Sequence, residues 1–368
     1  MHIKTALSNK DSAEASVKEL ADELAALDPK LVLFFASTKY SPDTICGLMQ
    51  NAFPTSEVFG CSTAGEIVSG QMLNNSIVAM AFSAEAIKDL DIQIVENLQD
   101  EQALTSAFGA FENHFKTPMT EIDPSEHVGI ILIDGLSGAE EGFIESVGDL
   151  TNVTFIGGSA GDDLQFAATH VYANGKNYQN AAILALLKPG VDFTFIKTQS
   201  FRDLGKPLEV TKADELNREV LEFNGQPAAA SYAAAIGTSI EKAPEHFIQN
   251  PIGLVIDDEP YVRSPQQIKG SSILFYCSVM EGMELSLLES TDMIKDTRLA
   301  IQQAAEELGG VSGIVNFNCI LRTLELTDKN LTKEYGNLFG AVPTIGFSTY
   351  GEQYLGHINQ TATMLVFK

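Results

Sequence analysis

Tryptophan is absent from the 368-residue sequence, and cations are scarce: 23 lysines and arginines stand against 49 aspartates and glutamates, a formal net charge of −26. Only 20% of residues are charged, so the acidity reflects missing cations rather than a high charge density. No segment of five to eight residues is rich in Lys or Arg. A chain this negative repels phosphate backbones and anionic lipid, which argues against nucleic-acid and membrane binding. Long apolar runs are missing as well. Leu31–Ala36 and Ala181–Leu187 fall far short of the ~20 residues that cross a bilayer, and suit buried strands. The first residues, from Met1 to Asp11, hold no apolar signal core, so a cytoplasmic location is expected. Cys46, Cys61, Cys277 and Cys319 form no C-x-x-C pair and read as reduced, buried thiols. His2, His114, His127, His170, His246 and His357 include no His-x-x-x-His spacing, so no zinc site is expected.

What is present is a globular chain. The 45% hydrophobic content can build a real core, and the length suits two domains or one large one. Val17, Leu20, Leu24 and Leu27 put one apolar stripe on a helix over 11–28, and Leu31–Ser37 reads as a buried strand. Ser41-Pro42-Asp43 opens a second helix, carrying Ile45, Leu48, Met49, Ala52 and Phe53 on its apolar face. Strands follow at Glu57–Cys61, Ile77–Phe82 and Val128–Asp134, with a helix from Ala139 to about Leu150. Further strands are expected at 170–172, 181–187 and 193–200, with a hairpin turn at Asn174-Gly175. A helix over Asp214–Asn224, a strand pair Ile273–Val279 with Glu284–Leu288, and a helix from Asp292 to Leu308 complete the reading. Gly225-Gln226-Pro227 marks a soft boundary near 205–230.

An internal repeat is the most informative feature. Gly60-Cys61-Ser62-Thr63-Ala64-Gly65-Glu66 returns as Gly346-Phe347-Ser348-Thr349-Tyr350-Gly351-Glu352, a shared G-x-S-T-x-G-E between strands. The likeness runs on, from Gly70-Gln71 and Asn74-Asn75 to Gly356-His357 and Asn359-Gln360. The expected fold is therefore mixed α/β, two related halves from an internal duplication, each a sheet flanked by helices. A degenerate third copy falls at Phe155–Asp162.

Such loops can gather backbone N–H groups into a nest, with Ser62, Thr63, Ser348 and Thr349 adding hydroxyls. The carboxylates of Glu66 and Glu352 suit a ligand amine, or fix the loop through its own N–H groups. Gly157-Gly158-Ser159-Ala160-Gly161 matches the G-x-S-x-G nucleophile elbow, which makes Ser159 a hydrolase candidate, although an elbow needs a helix directly after the serine. Asp134, Asp162 and Asp163 are possible metal ligands. Arg322, at the end of a buried strand, can hold a ligand carboxylate by a two-pronged contact or pair with an internal acid. A single imidazole can ligate haem iron, and His246 and His357 lie in plausible loops.

Leu31–Ser37, Phe59–Ile67 and Gly157–Asp163 together resemble the N-terminal half of the FIST family of bacterial sensory proteins. Phe317–Arg322, Gly346–Glu352 and His357–Thr361 resemble its C-terminal half. The resemblance implies a lead-in over 1–29, a FIST N-like domain over 30–215 and a FIST C-like domain over 216–368. It also implies a non-enzymatic sensor in signal transduction with a small-molecule ligand. Stand-alone relatives include haem-binding nitric-oxide sensors that act on a histidine kinase or a cyclic-di-GMP enzyme. That layout would make His246 the haem-iron ligand, with His357 in reserve. The alternative is an amino acid or similar metabolite in a pocket between the related halves, held by Ser62, Thr63, Glu66, Arg322, Ser348, Thr349 and Glu352.

Overall fold

A computed structural model describes residues 2–368. The chain forms two compact units: one built from residues up to Lys197 with Thr297–His357 and Ala362–Lys368, the other from Thr198–Asp296 with Ile358–Thr361.

The first unit contains the repeat, and contains it three times. The first copy runs β1 (Ile3–Ser8), α1 (Ala13–Leu24), β2 (Leu31–Ser37), α2 (Pro42–Ala52), β3 (Glu57–Thr63), a hairpin of β4 (Glu66–Val68) and β5 (Gln71–Leu73), and β6 (Ile77–Phe82). The second runs β7 (Ile87–Glu96), α3 (Glu101–Phe115), β8 (Val128–Ile133), α4 (Glu140–Leu150), β9 (Phe155–Ser159), the hairpin β10 (Val171–Ala173) with β11 (Lys176–Tyr178), and β12 (Ala181–Pro189). The third opens with β13 (Phe193–Thr198), after which the chain builds the second unit. That unit holds β14 (Phe201–Asp214), β15 (Glu219–Phe223), β16 (Gln226–Pro227), α5 (Ala228–Ile236), β17 (Ile252–Ile256), β18 (Glu259–Arg263), β19 (Pro265–Lys269), β20 (Ser272–Phe275) and β21 (Glu284–Ser290). The third copy then resumes with α6 (Met293–Leu308), β22 (Gly313–Cys319), α7 (Ile320–Asp328), α8 (Thr332–Asn337), β23 (Thr344–Thr349), β24 (Glu352–Tyr354), β25 (His357–Ile358) and β26 (Ala362–Phe367). The mixed α/β class stands, and the degenerate copy at Phe155–Asp162 is part of a whole structural unit.

In every copy the strand after the first helix pairs parallel with the next long strand and antiparallel with the last: β2 with β3 and β6, β8 with β9 and β12, β22 with β23 and β26. The hairpins do not stay at home. The first copy's β4 pairs with β23, the third copy's β24 with β9, and the second copy's β10 with β3. The exchange is cyclic and keeps register: Val68 faces Ile345, Tyr354 faces Ile156 and Ala173 faces Phe59. The three serines of the motif mark the same point, their N–H groups donating to Gly65 (from Ser348, 2.8 Å), Gly351 (from Ser159, 2.8 Å) and His170 (from Ser62, 2.9 Å).

The strands read as near-continuous apolar runs because both faces are covered. Inner faces share one core, with Leu33, Phe35, Ile130, Leu132, Val315 and Phe317 among its members. Outer faces meet helices: Val32, Phe34 and Ala36 in the first copy, Ile131 and Ile133 in the second. Gly60, Gly157 and Gly346 sit at equivalent points on the second strand of each pair. A Cβ there would lie 1.9, 1.7 and 2.1 Å from the carbonyl oxygens of Phe34, Ile131 and Asn316 respectively, so only glycine fits. Helix starts follow the sequence, with Ser12 capping α1, Asp100 capping α3 and Pro42 opening α2.

In the second unit the strands run β18-β17-β21-β14-β15-β20-β19, with α5 packed on them through Ala229, Tyr232 and Ala233. Two expectations fail here. Residues 214–224 form no α-helix but a short 3-10 turn, Glu215–Asn217, between β14 and β15. Leu216 is 98% exposed, while Val220 and Phe223 are buried as strand residues. Nor do the segments 273–279 and 284–288 pair. β20 lies between β15 and β19, and β21 between β14 and β17.

Candidate functional site

The two G-x-S-T-x-G-E segments are the corners where the hairpins leave their copies. At each, a threonine hydroxyl donates to the glutamate three residues on, Thr63 to Glu66 and Thr349 to Glu352. Glu66 also accepts the N–H and hydroxyl of Ser76, a partner outside its own loop. It is 1% exposed, and burial lifts its carboxyl from the ordinary 4.5 to about 7 against the opposing pull of the Ser76 and Thr63 hydrogen bonds. The Ser62 hydroxyl donates to the Gly161 carbonyl (2.7 Å) and accepts from the His170 N–H (2.9 Å). Ser348 shares a hydrogen bond with Thr323 at 2.8 Å. The structure thus brings the two loops together, through the β4–β23 ladder. It buries Ser62, Thr63, Glu66, Ser348, Thr349 and Glu352 and engages each of them within the protein.

The second copy departs from this plan. Residues 160–170 connect Ser159 to β10, where residues 63–65 and 349–351 suffice in the other copies. Asp162, which imitates the motif glutamate in sequence, belongs to this longer loop, and Val171 takes the glutamate's place in register. Asp162 accepts the N–H groups of Phe166, Ala167 and Ala168 and the Tyr350 hydroxyl. Asp163 accepts Ser37 Oγ (3.0 Å), Thr38 N (2.9 Å) and Thr38 Oγ1 (2.6 Å). Asp134 takes Thr169 Oγ1, Asn180 N and Leu136 N. The three aspartates therefore organise the loop. Ser159 is fully buried, its Oγ 3.1 Å from Gln353 Nε2. No helix follows it, so the elbow geometry expected of a serine nucleophile is missing.

Arg322 occupies the third copy's layer between sheet and helices. It is 1% exposed. Its Nε donates to Asn318 Oδ1 (3.0 Å) and its Nη2 to Thr297 Oγ1 (3.1 Å), and its carbon lies 6.0 Å from the centre of the Tyr335 ring. The internal acid that the sequence offers as a partner is not one of these. Tyr335 donates to Asn318 (3.0 Å) and accepts from Asn316 Nδ2 (3.3 Å). Asn318 reaches Thr323 (3.0 Å) and thereby Ser348. Arg322 Nη1 and Asn316 Oδ1 are buried with no hydrogen-bond partner among the described residues. Register makes Asn316 the counterpart of Phe34 and Ile131, and Asn318 that of Ala36 and Ile133. The same fold thus fills this layer with hydrocarbon twice and with a polar network once. Asn316 and Asn318 could have been noticed as amides at alternate positions of an apolar strand, whereas nothing local pointed to Thr297 or Tyr335.

The histidines are separate. His246 ends a 3-10 turn, Ala243–His246, in the second unit, and is half-buried. His357 belongs to the first unit, with Nδ1 3.0 Å from Gln353 Nε2 and its ring against Gly351, where a Cβ would lie 2.2 Å from Cε1. Among the described residues no three or more His, Cys, Asp or Glu gather as a metal site. A cavity of about 200 Å³ is lined by Lys4, Thr5, Ser69 and residues 340–343, and none of the expected ligand residues borders it.

Fold and site define a mixed α+β protein with one buried polar layer in a triplicated core unit, and no described helix long and apolar enough to cross a membrane. The chain belongs to the FIST family. The FIST N domain matches residues 30–226 and the FIST C domain residues 228–355. FIST domains are sensory domains in signal transduction, which points to a non-enzymatic role. An uncharacterized protein of Methanocaldococcus jannaschii is 18% identical over 273 residues, 69% of this chain and 52% of that protein. The chain spans about half the length of this curated relative.

Proposed function

We propose that the chain is a sensor for a small metabolite bearing a carboxylate, such as an amino acid. The metabolite is received in the layer beneath α6, α7 and α8, and its occupancy is passed by contact to a signalling enzyme. The observation that carries this reading is the unpartnered Nη1 of the buried Arg322. A guanidinium taken out of water is costly unless its donors are met, and the other two copies show that the fold itself has no need of it. A carboxylate would meet Nη1 with charge-assisted hydrogen bonds, and the free Asn316 oxygen would accept from a ligand amine.

Calorimetry and thermal-shift screening of amino acids and small dicarboxylates test it. Saturable binding that disappears in Arg322→Met is expected, and a flat screen of the wild type overturns the proposal. The competing reading is haem held by His246 or His357 and open to nitric oxide. A Soret band in protein from haem-fed cells, lost on replacement of either histidine, would put that reading in its place.

A further inference from the structure

The long loop of the second copy, residues 160–170, is built differently from the other two corners. Its base is fixed by Asp162, Asp163 and Asp134, yet its tip turns apolar side chains outward: Leu164 is 40% and Phe166 52% exposed. Asp163, Leu164 and Phe166 all hold left-handed backbone, with φ of 53°, 63° and 50°, a region that bulky residues seldom adopt. The Phe166 ring stacks on Tyr350 at 5.0 Å, and the Tyr350 hydroxyl receives the Leu164 N–H at 3.0 Å. Leu136, 40% exposed, sits on the neighbouring loop, next to Gly135, where an added Cβ would lie 3.2 Å from Tyr350 Cβ. The apolar tip is thus ordered before any partner arrives, which lowers the entropic cost of association.

Charge selects the partner. The aspartates beneath the patch are bonded to hydroxyls and backbone N–H groups, and none forms an ion pair among the described residues. Lys39, beside Thr38, pairs instead with Asp11. Asp134 and Asp162 are buried, but Asp163 is partly exposed beside the patch with no cationic partner among the described residues, and on a chain of net charge −26 an apolar patch so placed repels its own copy and attracts cations. The geometry points to Leu136, Leu164 and Phe166 as the docking surface for a protein segment that presents an aromatic or aliphatic side chain flanked by Lys or Arg.

The test uses the full chain and a displayed library of random short peptides, selected in parallel on wild type and on Leu164→Ser/Phe166→Ser, with melting curves to confirm that the variant is folded. Peptides specific to wild type should combine basic and apolar residues and lose at least about tenfold in affinity on the variant. Their salt dependence should weaken in Asp163→Asn, a second variant that leaves the tip apolar. Identical selections on both proteins, patch-specific peptides that are acidic or uncharged, or a wild-type dimer dissolved by the double substitution would each overturn the proposal. None of these outcomes depends on Arg322.

Discussion

Ser76 holds Glu66 with both its N–H (3.1 Å) and its hydroxyl (2.6 Å) on the same carboxylate oxygen. These donors are neutral, and burial wins over them, so the group ionises near 7 instead of 4.5. The folded state therefore keeps a proton that the unfolded chain has already released. The stabilisation is fully present below pH 4.5, declines as pH rises, and is gone above about 7. The interval corresponds to about 3 kcal/mol. Denaturant titrations of wild type and Glu66→Gln should diverge by that order between pH 4.5 and 7, with wild type losing ground. A difference that stays constant with pH would show that Glu66 is ionised throughout.

How much of this was legible depended on spacing. The corners at 60–66 and 346–352 keep their length as well as their residues, so the repeat shows by eye. The third corner, at Phe155–Asp162, shows only in degenerate form, because residues 160–170 separate Ser159 from its hairpin and Gly161-Asp162 imitates a motif ending that the structure places at His170-Val171. The exchange of hairpins could not be read at all, since each short strand pairs with a copy far away in sequence. In the second unit, Leu216, Val220 and Leu221 have helical spacing, but β20 and β14 offer β15 a partner on each side, and tertiary pairing overrides local pattern. Arg322 was conspicuous in a chain short of cations, whereas its partners Thr297 and Tyr335 are joined to it only by folding.

Equivalent glycines give a sharper expectation. At Gly157 a Cβ would sit 1.7 Å from the Ile131 carbonyl oxygen, and backbone on both sides prevents relief. Gly157→Ala should cost at least about 2 kcal/mol and could prevent folding. Gly148, within α4, has nothing within 4 Å of its added Cβ, so Gly148→Ala should stabilise by about 0.5–1 kcal/mol. Thermal melts of the pair should shift in opposite directions.

The polar layer should show function opposing stability. Removing a buried guanidinium with an unmet donor relieves its desolvation cost, which offsets the loss of its bonds to Asn318 and Thr297. Arg322→Met should therefore melt at or above the wild-type temperature while losing any response to a carboxylate ligand. A large loss of stability would assign Arg322 to the architecture of the third copy and leave the ligand reading without its main support.

Asp162 offers a local test. Its carboxylate gathers the N–H groups of Phe166, Ala167 and Ala168, at 2.9, 2.6 and 3.0 Å, and the hydroxyl of Tyr350. In Asp162→Ala these donors lose a charge-assisted acceptor, each such bond contributing about 1.5–3 kcal/mol. The left-handed residues Leu164 and Phe166 then lose the contacts that hold them there. The β-sheets keep their ladders, because the Ser159 N–H to Gly351 bond (2.8 Å) and the Val171–Cys61 pairing do not involve Asp162. Hydrogen exchange should accelerate by orders of magnitude at amides 166–168 while the β3 and β9 amides stay protected. Uniform acceleration across the first unit would mean that the loop is a load-carrying part of the core rather than a structure organised by one carboxylate.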